Sequence, residues 1–134
     1  MSILFHTWEI KKSYISVFYS RMGVKIMEQH LNFIEKVAAI SNLSKTDVEI
    51  LITLHEKRKL LVSEIAEHIK RSERQIRQRL HVLHGKGFLK KEIKILKNKR
   101  VAYRYSLRSI TSIAVETRRD LLKKLDELDK LIVE

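Results

Sequence analysis

Two serines nine residues apart, Ser63 and Ser72, set the tightest local constraint on this chain. A serine hydroxyl just ahead of a helical stripe accepts a hydrogen bond from one of the backbone N–H groups that a helix start leaves unsatisfied. Ser63 precedes Ile65, Ala66 and Ile69, and Ser72 is followed three residues on by Gln75, the spacing of a reciprocal capping box. Ser63 therefore predicts a short helix over residues 64–70, and Ser72 predicts a second that begins almost at once. Two starts so close require a tight turn between the helices, with Ala66 small where the second crosses the first. In that second helix Ile76, Leu80 and Leu83 recur at i, i+4 and i+7. It ends at His84-Gly85-Lys86-Gly87, where Gly85 or Gly87 can take the left-handed conformation that closes a helix.

Elsewhere punctuation is scarce: there is no proline, and the one other glycine is Gly23, so long helices joined by short turns are expected. Apolar positions 27, 31, 34 and 38, with a second row at 26, 33, 37 and 40, form a wide helical stripe upstream. Ser44, with Asp47 three residues on, opens the next helix, in which Val48, Leu51, Ile52 and His55 turn inward. Residues 57–62 read as a turn and a brief strand. Residues 88–95 and 101–107 alternate and make a hairpin, with Leu89, Ile93 and Ile95 on one side of the first strand. Val101, Tyr103, Tyr105 and Leu107 share a side of the second, and the alternation with Arg104 assigns both tyrosines to core packing. Residues 109–133 return to helix, with Leu121, Leu125, Leu128 and Ile132 on one face. The first 22 residues are the most aromatic stretch (Phe5, Trp8, Tyr14, Phe18, Tyr19) and fit either a helix packed on a partner subunit or an extension ahead of an internal start at Met22 or Met27. The division expected is residues 1–43 as an N-terminal helical and aromatic segment, 44–107 as one compact domain, and 108–134 as a C-terminal helix.

Charge narrows the function. Residues 57–104 hold 16 of the 28 Lys and Arg but four of the 16 acids, so this segment carries the entire net charge of +12 and the remainder balances. Dispersed charge usually marks a solvated surface, whereas an excess gathered in one structural unit points to a polyanion. Other classes recede. The lack of cysteine removes disulfides, thiolate nucleophiles and cysteine-based metal sites. No Gly-rich phosphate loop, catalytic triad or inward carboxylate pair is evident, so the chain is read as no enzyme and without cofactor. His81 and His84 have the i, i+3 spacing of helical ligands but nothing completes a set, so no metal is expected. No apolar run is long enough to span a membrane and the opening lacks the pattern of a signal peptide, so a cytoplasmic location is expected.

The order helix, short strand, helix, helix, basic hairpin is that of a winged helix-turn-helix: a helix has the width of the major groove of DNA, and the hairpin beside it can track the flanking phosphates or the minor groove. With Ile76 facing the core, steps of 100° turn Arg74, Gln78 and His81 directly outward, with Gln75 and Arg77 on the flanks, as base-reading side chains. Arg79 lies beside the core face, where packing of its stem or pairing with an acid is a better reading than contact with a base. Lys70, Arg71 and Ser72 suit the DNA backbone at the helix start, as do Lys97, Lys99 and Arg100 at the hairpin tip. Lys94 is assigned to solvent.

Residues 44–107 resemble the winged helix of MarR-type regulators, and the chain as a whole is similar to the small archaeal Lrs-like transcription regulators. The likeness rests on Leu43-Ser44-Lys45-Thr46-Asp47-Val48-Glu49-Ile50-Leu51, Val62-Ser63-Glu64-Ile65-Ala66 and Leu83-His84-Gly85-Lys86-Gly87-Phe88-Leu89. It implies a homodimer with two recognition helices in successive major grooves of a pseudo-palindromic site, paired through the C-terminal helix. The stripe of Leu121, Leu125, Leu128 and Ile132 points to self-association on its own account. The expected fold is α+β, mainly α with a small β-hairpin, with an N-terminal helical extension and a long C-terminal dimerisation helix. The expected function is sequence-specific regulation of transcription on double-stranded DNA; the alternatives are an architectural DNA coat and a protein-binding assembly module.

Overall fold

The computed structural model describes residues 21–132, with side chains from residue 28 onward; the aromatic stretch of residues 1–20 lies outside the described residues. Helix α1 (Arg21–Ile40) is followed by α2 (Lys45–Lys57), β1 (Lys59–Leu61), α3 (Val62–Ile69), α4 (Glu73–Gly85), β2 (Leu89–Ile95), β3 (Val101–Leu107) and α5 (Ile110–Ile132).

Helix α1 buries Leu31, Ile34, Val37 and Ala38 and ends where Asn42 takes a φ of 53°. The Leu43 N–H then reaches back to the Ala38 carbonyl at 2.9 Å, the wrap-around bond of a left-handed helix terminus. Helix α2 opens as its spacing predicts: the Ser44 hydroxyl accepts from the Asp47 N–H at 3.2 Å, and the Asp47 carboxylate accepts from the Ser44 N–H at 3.0 Å. It runs through the centre of the core, burying Val48, Ile50, Leu51, Ile52 and Leu54 on more than one face.

The start of α3 corrects the expectation for Ser63. The helix begins at Val62 with Leu61 as its N-terminal flank, because Glu64 reaches back to the Leu61 N–H at 2.8 Å. Ser63 is exposed in the first turn instead. Lys70 ends α3 in the left-handed conformation, and the Arg71 N–H bonds to the Ala66 carbonyl at 3.1 Å. Ser72 does cap α4, with Gln75 as its reciprocal partner. Ile76, Leu80 and Leu83 are each 0% exposed, so truncating any one to alanine would cost about 2–5 kcal/mol.

Gly87, with a φ of +83°, turns the chain from α4 into β2. The Phe88 N–H bonds to the Leu83 carbonyl and the Gly87 N–H to that of His84, while Phe88 and Leu83 are both buried, which completes a Schellman motif. The sheet has the order β1-β3-β2, all antiparallel, so the hairpin is joined by the brief strand ahead of α3. Leu60, Leu89 and Tyr105 face the helices and are buried. Helix α5 starts from Ser109, whose hydroxyl accepts from the Ser112 N–H, and buries Ile113 and Thr117. Beyond Asp120 its side chains are exposed. The architecture is an α+β winged helix-turn-helix, with α1 sharing the core and α5 running out from it.

Candidate nucleic-acid interface

The outer face of α4 is fixed by its inner one. With Ile76, Leu80 and Leu83 buried, Arg74, Arg77, Gln78 and His81 stand exposed around a shallow open hollow that Arg79 and Val82 also line. Arg77 lies 3.9 Å from Glu73 one turn earlier, a surface pair too weak and too exposed to hold it against a phosphate or base. Gln75 is less free: its side-chain carbonyl accepts from the Ser72 N–H at 3.3 Å, which leaves its amide NH2 for any further bond. Ser72 accepts from the Gln75 N–H at 3.2 Å and keeps its hydroxyl hydrogen to donate. Lys70 and Arg71, in the turn before it, are exposed.

Arg79 does not belong to the outward set. It grips Asp47 of α2 through two bonds of 2.7 Å, which ties α4 to the central helix of the core. The sequence kept Arg79 from base reading but left stem packing and an acid partner both open; the acid it meets lies 32 residues away.

At the hairpin tip, Lys97, Lys99 and Arg100 are exposed. The Leu96 carbonyl accepts from the Lys99 N–H at 2.9 Å, the Leu96 N–H donates to the Arg100 carbonyl, and Lys99 has a φ of 62°. Asn98 fixes the turn by accepting from the Arg100 N–H at 3.1 Å. Lys94 is exposed, and Arg104 sits 3.8 Å from Glu92, which Lys59 also approaches at 3.5 Å. Tyr105 packs in the core as expected, but Tyr103 does not: it is exposed, with the Lys91 ammonium 4.1 Å from its ring centre. The hairpin outruns the helices beneath it, so alternation persists where the core has ended.

Leu121, Leu125, Leu128 and Ile132 lie exposed along α5 with Leu122 and Leu131. Asp120 anchors that helix, accepting from the Ser41 hydroxyl at 3.3 Å and lying 3.7 Å from Lys86, and the Lys124 ammonium donates to the Ile40 carbonyl at 2.9 Å.

One feature escaped the sequence. Between α1, α2 and the start of α5 lies a mainly apolar cavity of about 220 Å³, lined by Phe33, Ile34, Leu51, Arg108 and Ile113, with His30 and His55 at its side. The two imidazoles meet edge to face at 4.9 Å. Burial pushes His55 below its ordinary value, and the neighbouring His30 and Arg58 add to this against the opposing pull of Glu56. Its lining comes from segments distant in sequence, so no local spacing signals it. Among the described residues no group of three or more metal-ligating side chains comes together, and no helix is long and apolar enough to cross a membrane.

The fold and this basic face define a winged-helix protein. No protein-family model matches the chain, and no curated protein matches it in sequence. Among solved structures it is similar to a possible transcriptional regulator from Methanosarcina mazei Go1, with a TM-score of 0.62 and 19% identity, covering 74% of this chain and 85% of that one. It is also similar to the ST1889 protein of the thermoacidophilic archaeon Sulfolobus tokodaii, with a TM-score of 0.53 and 22% identity, covering 80% of this chain and 98% of that one. These are likenesses of fold, and the fold is the one the sequence predicts.

Proposed function

We propose that the chain is a homodimeric regulator of transcription that binds double-stranded DNA in a sequence-specific way and has no catalytic role. The observation that carries this reading is the exposed row of Arg74, Arg77, Gln78 and His81 on α4, beside a hairpin tip bearing Lys97, Lys99 and Arg100. Arginine can grip guanine O6 and N7, and glutamine adenine N6 and N7, so α4 is the element that reads the major groove. Gln75 takes the smaller part in readout that its capping bond allows. Lys70, Arg71, Ser72 and the tip cations hold phosphates and set the register. The Methanosarcina protein of similar fold is a possible transcriptional regulator, which agrees with this role. The leucine stripe of α5 pairs two copies, which couples two half-sites.

Footprinting on the protein's own upstream DNA, followed by titrations of the variants, tests the reading. Arg77→Ala should weaken the footprinted site more than random duplex. Lys99→Ala and Arg100→Ala should weaken both, each lowering the slope of log affinity against log salt by about 0.9. Equal losses for all three would mean an architectural coat. No retention of any duplex at low salt would remove DNA as the partner and leave a protein-binding module.

A further inference from the structure

The pairing with Asp47 uses only one edge of the Arg79 guanidinium. Asp47 takes the Nε–H and one N–H of Nη2, each at 2.7 Å. A guanidinium has five N–H groups in a planar fork, so three remain, one on Nη2 and two on Nη1. Among the described residues no second acceptor meets them. One N–H from each terminal nitrogen points the same way, which makes the far edge a second fork of the shape that grips a carboxylate or a phosphate.

That edge is not sealed in the core. The Asp47 side chain is 0% exposed, but that of Arg79 is 36% exposed. Arg79 lines the hollow on the outer side of α4 together with Arg74, Arg77, Gln78, His81 and Val82. Three arginines and a histidine without a carboxylate make that hollow a place for an anion.

The position on the helix indicates which anion. Three steps of about 100° from the buried Ile76 bring Arg79 to about 60° from the direction of the core, whereas Arg74, Gln78 and His81 lie about 140–160° from it. Side chains turned directly outward reach the base edges on the floor of a major groove, and one on the flank reaches the rim, which is phosphate. The guanidinium is also held still. Lys97, Lys99 and Arg100 are exposed and must be ordered when they meet a phosphate, whereas Arg79 is fixed by a carboxylate that itself accepts from the Ser44 N–H at 3.0 Å. A donor already fixed loses little freedom on binding.

We propose that Arg79 bridges the buried Asp47 carboxylate and one phosphate of the DNA backbone, and so sets the register in which α4 reads the groove. This inference rests on the DNA-binding reading and adds to it a contact anchored in the core. Asp47 is a positioning residue: it touches no DNA but aims the group that does. The ion pair carries no net charge, so its part is to place the duplex rather than to attract it.

The test pairs a side-chain change with a phosphate change. Duplexes of the footprinted site carry a single methylphosphonate, which is uncharged and has a methyl group in place of one oxygen, at each position in turn. Several positions should weaken the wild-type chain, those beneath the hairpin tip included, and the position bound by Arg79 should cost it about tenfold. Asp47→Asn/Arg79→Met removes the fork without leaving a buried charge unpartnered, keeps an acceptor for the Ser44 N–H, and leaves the net charge at +12. With its fold checked by circular dichroism, this variant should bind the unmodified site about tenfold more weakly. It should be indifferent to methylphosphonate at one position per bound copy and lose what the wild type loses at every other. Asp47→Leu/Arg79→Leu, an apolar replacement of the pair, takes its place in the same titrations if the first variant does not fold. A folded variant whose profile matches the wild type's at every position would overturn the proposal. So would sensitivity lost at many positions together, which would make the pair a structural clamp alone. Failure of the wild-type chain to retain any duplex at low salt would instead remove the DNA reading beneath it.

Discussion

Arg79 and Asp47 form a two-point ion pair: Nε and Nη2 of the guanidinium each lie 2.7 Å from a different carboxylate oxygen, and the Asp47 side chain is 0% exposed. Burial pushes the Asp47 carboxyl up. The bonds from Arg79 and Ser44, with the Arg79 charge, outweigh that and hold it below its ordinary 3.8. A carboxylate with a depressed folded pKa stabilises the fold above the unfolded value, and that stability is lost as pH falls through the folded one. Arg79→Met should reverse the sign, because burial then dominates and raises the folded pKa. The wild type should lose unfolding free energy on acidification below about pH 4, whereas the variant should lose less or gain. At pH 7 the variant should be about 3 kcal/mol less stable, the cost of leaving a buried charge without its partner. Urea titrations from pH 7 to pH 3 measure both.

His55 predicts a second dependence on pH. Burial lowers its folded pKa below the ordinary 6.5, so the unfolded chain binds the proton more readily. The stability associated with neutral His55 is present above pH 6.5 and is lost as pH falls toward the folded value. Melting temperature should therefore decline from pH 7 to pH 5, and His55→Phe, which keeps an aromatic ring against His30, should flatten the decline. An equal slope in the variant would assign that titration elsewhere.

The two glycines after Leu83 should respond in opposite directions to the same substitution. Gly87→Ala puts a side chain on a residue with φ of +83° and places its Cβ 2.9 Å from Glu116 Cγ. The left-handed conformation alone costs about 1–2 kcal/mol. Gly85 closes α4 with open space where a Cβ would go, so Gly85→Ala should stabilise by about 0.5 kcal/mol. Thermal unfolding of the two variants side by side checks the contrast.

The α5 stripe is tested by charge. Leu125→Glu/Leu128→Glu alters two side chains that are exposed in the single chain, so the fold should survive by circular dichroism. Sedimentation should show a monomer. Affinity for a two-half-site duplex should fall by about 100-fold as avidity is lost, while affinity for one half-site stays unchanged. A dimer that persists in this variant would place self-association on another surface.

The features legible in the sequence are those decided within a few residues. The Ser44–Asp47 and Ser72–Gln75 boxes, the Ile76, Leu80 and Leu83 stripe and the alternation of β2 and β3 all follow from local spacing. Ser63 misled because Glu64 serves a helix that starts two residues earlier, accepting from the Leu61 N–H. Tyr103 misled because alternation names a face of a strand but not how far the core extends beneath it. The partner of Arg79 and the cavity beside His30 and His55 depend on which distant segments meet, which no single spacing encodes.

Two residues, Arg108 and Ser109, separate β3 from α5, and Asp120 then pins that helix to both Ser41 and Lys86. The exposed half of α5 is thus a lever clamped near its middle, with its rotational phase set relative to α4. Each residue inserted between Ser109 and Ile110 would turn the leucine stripe by about 100° and advance it by about 1.5 Å. The relative orientation of two copies in any pair formed through α5 is thereby written into a two-residue joint and one carboxylate, and changes to it would come in angular steps rather than by gradual drift.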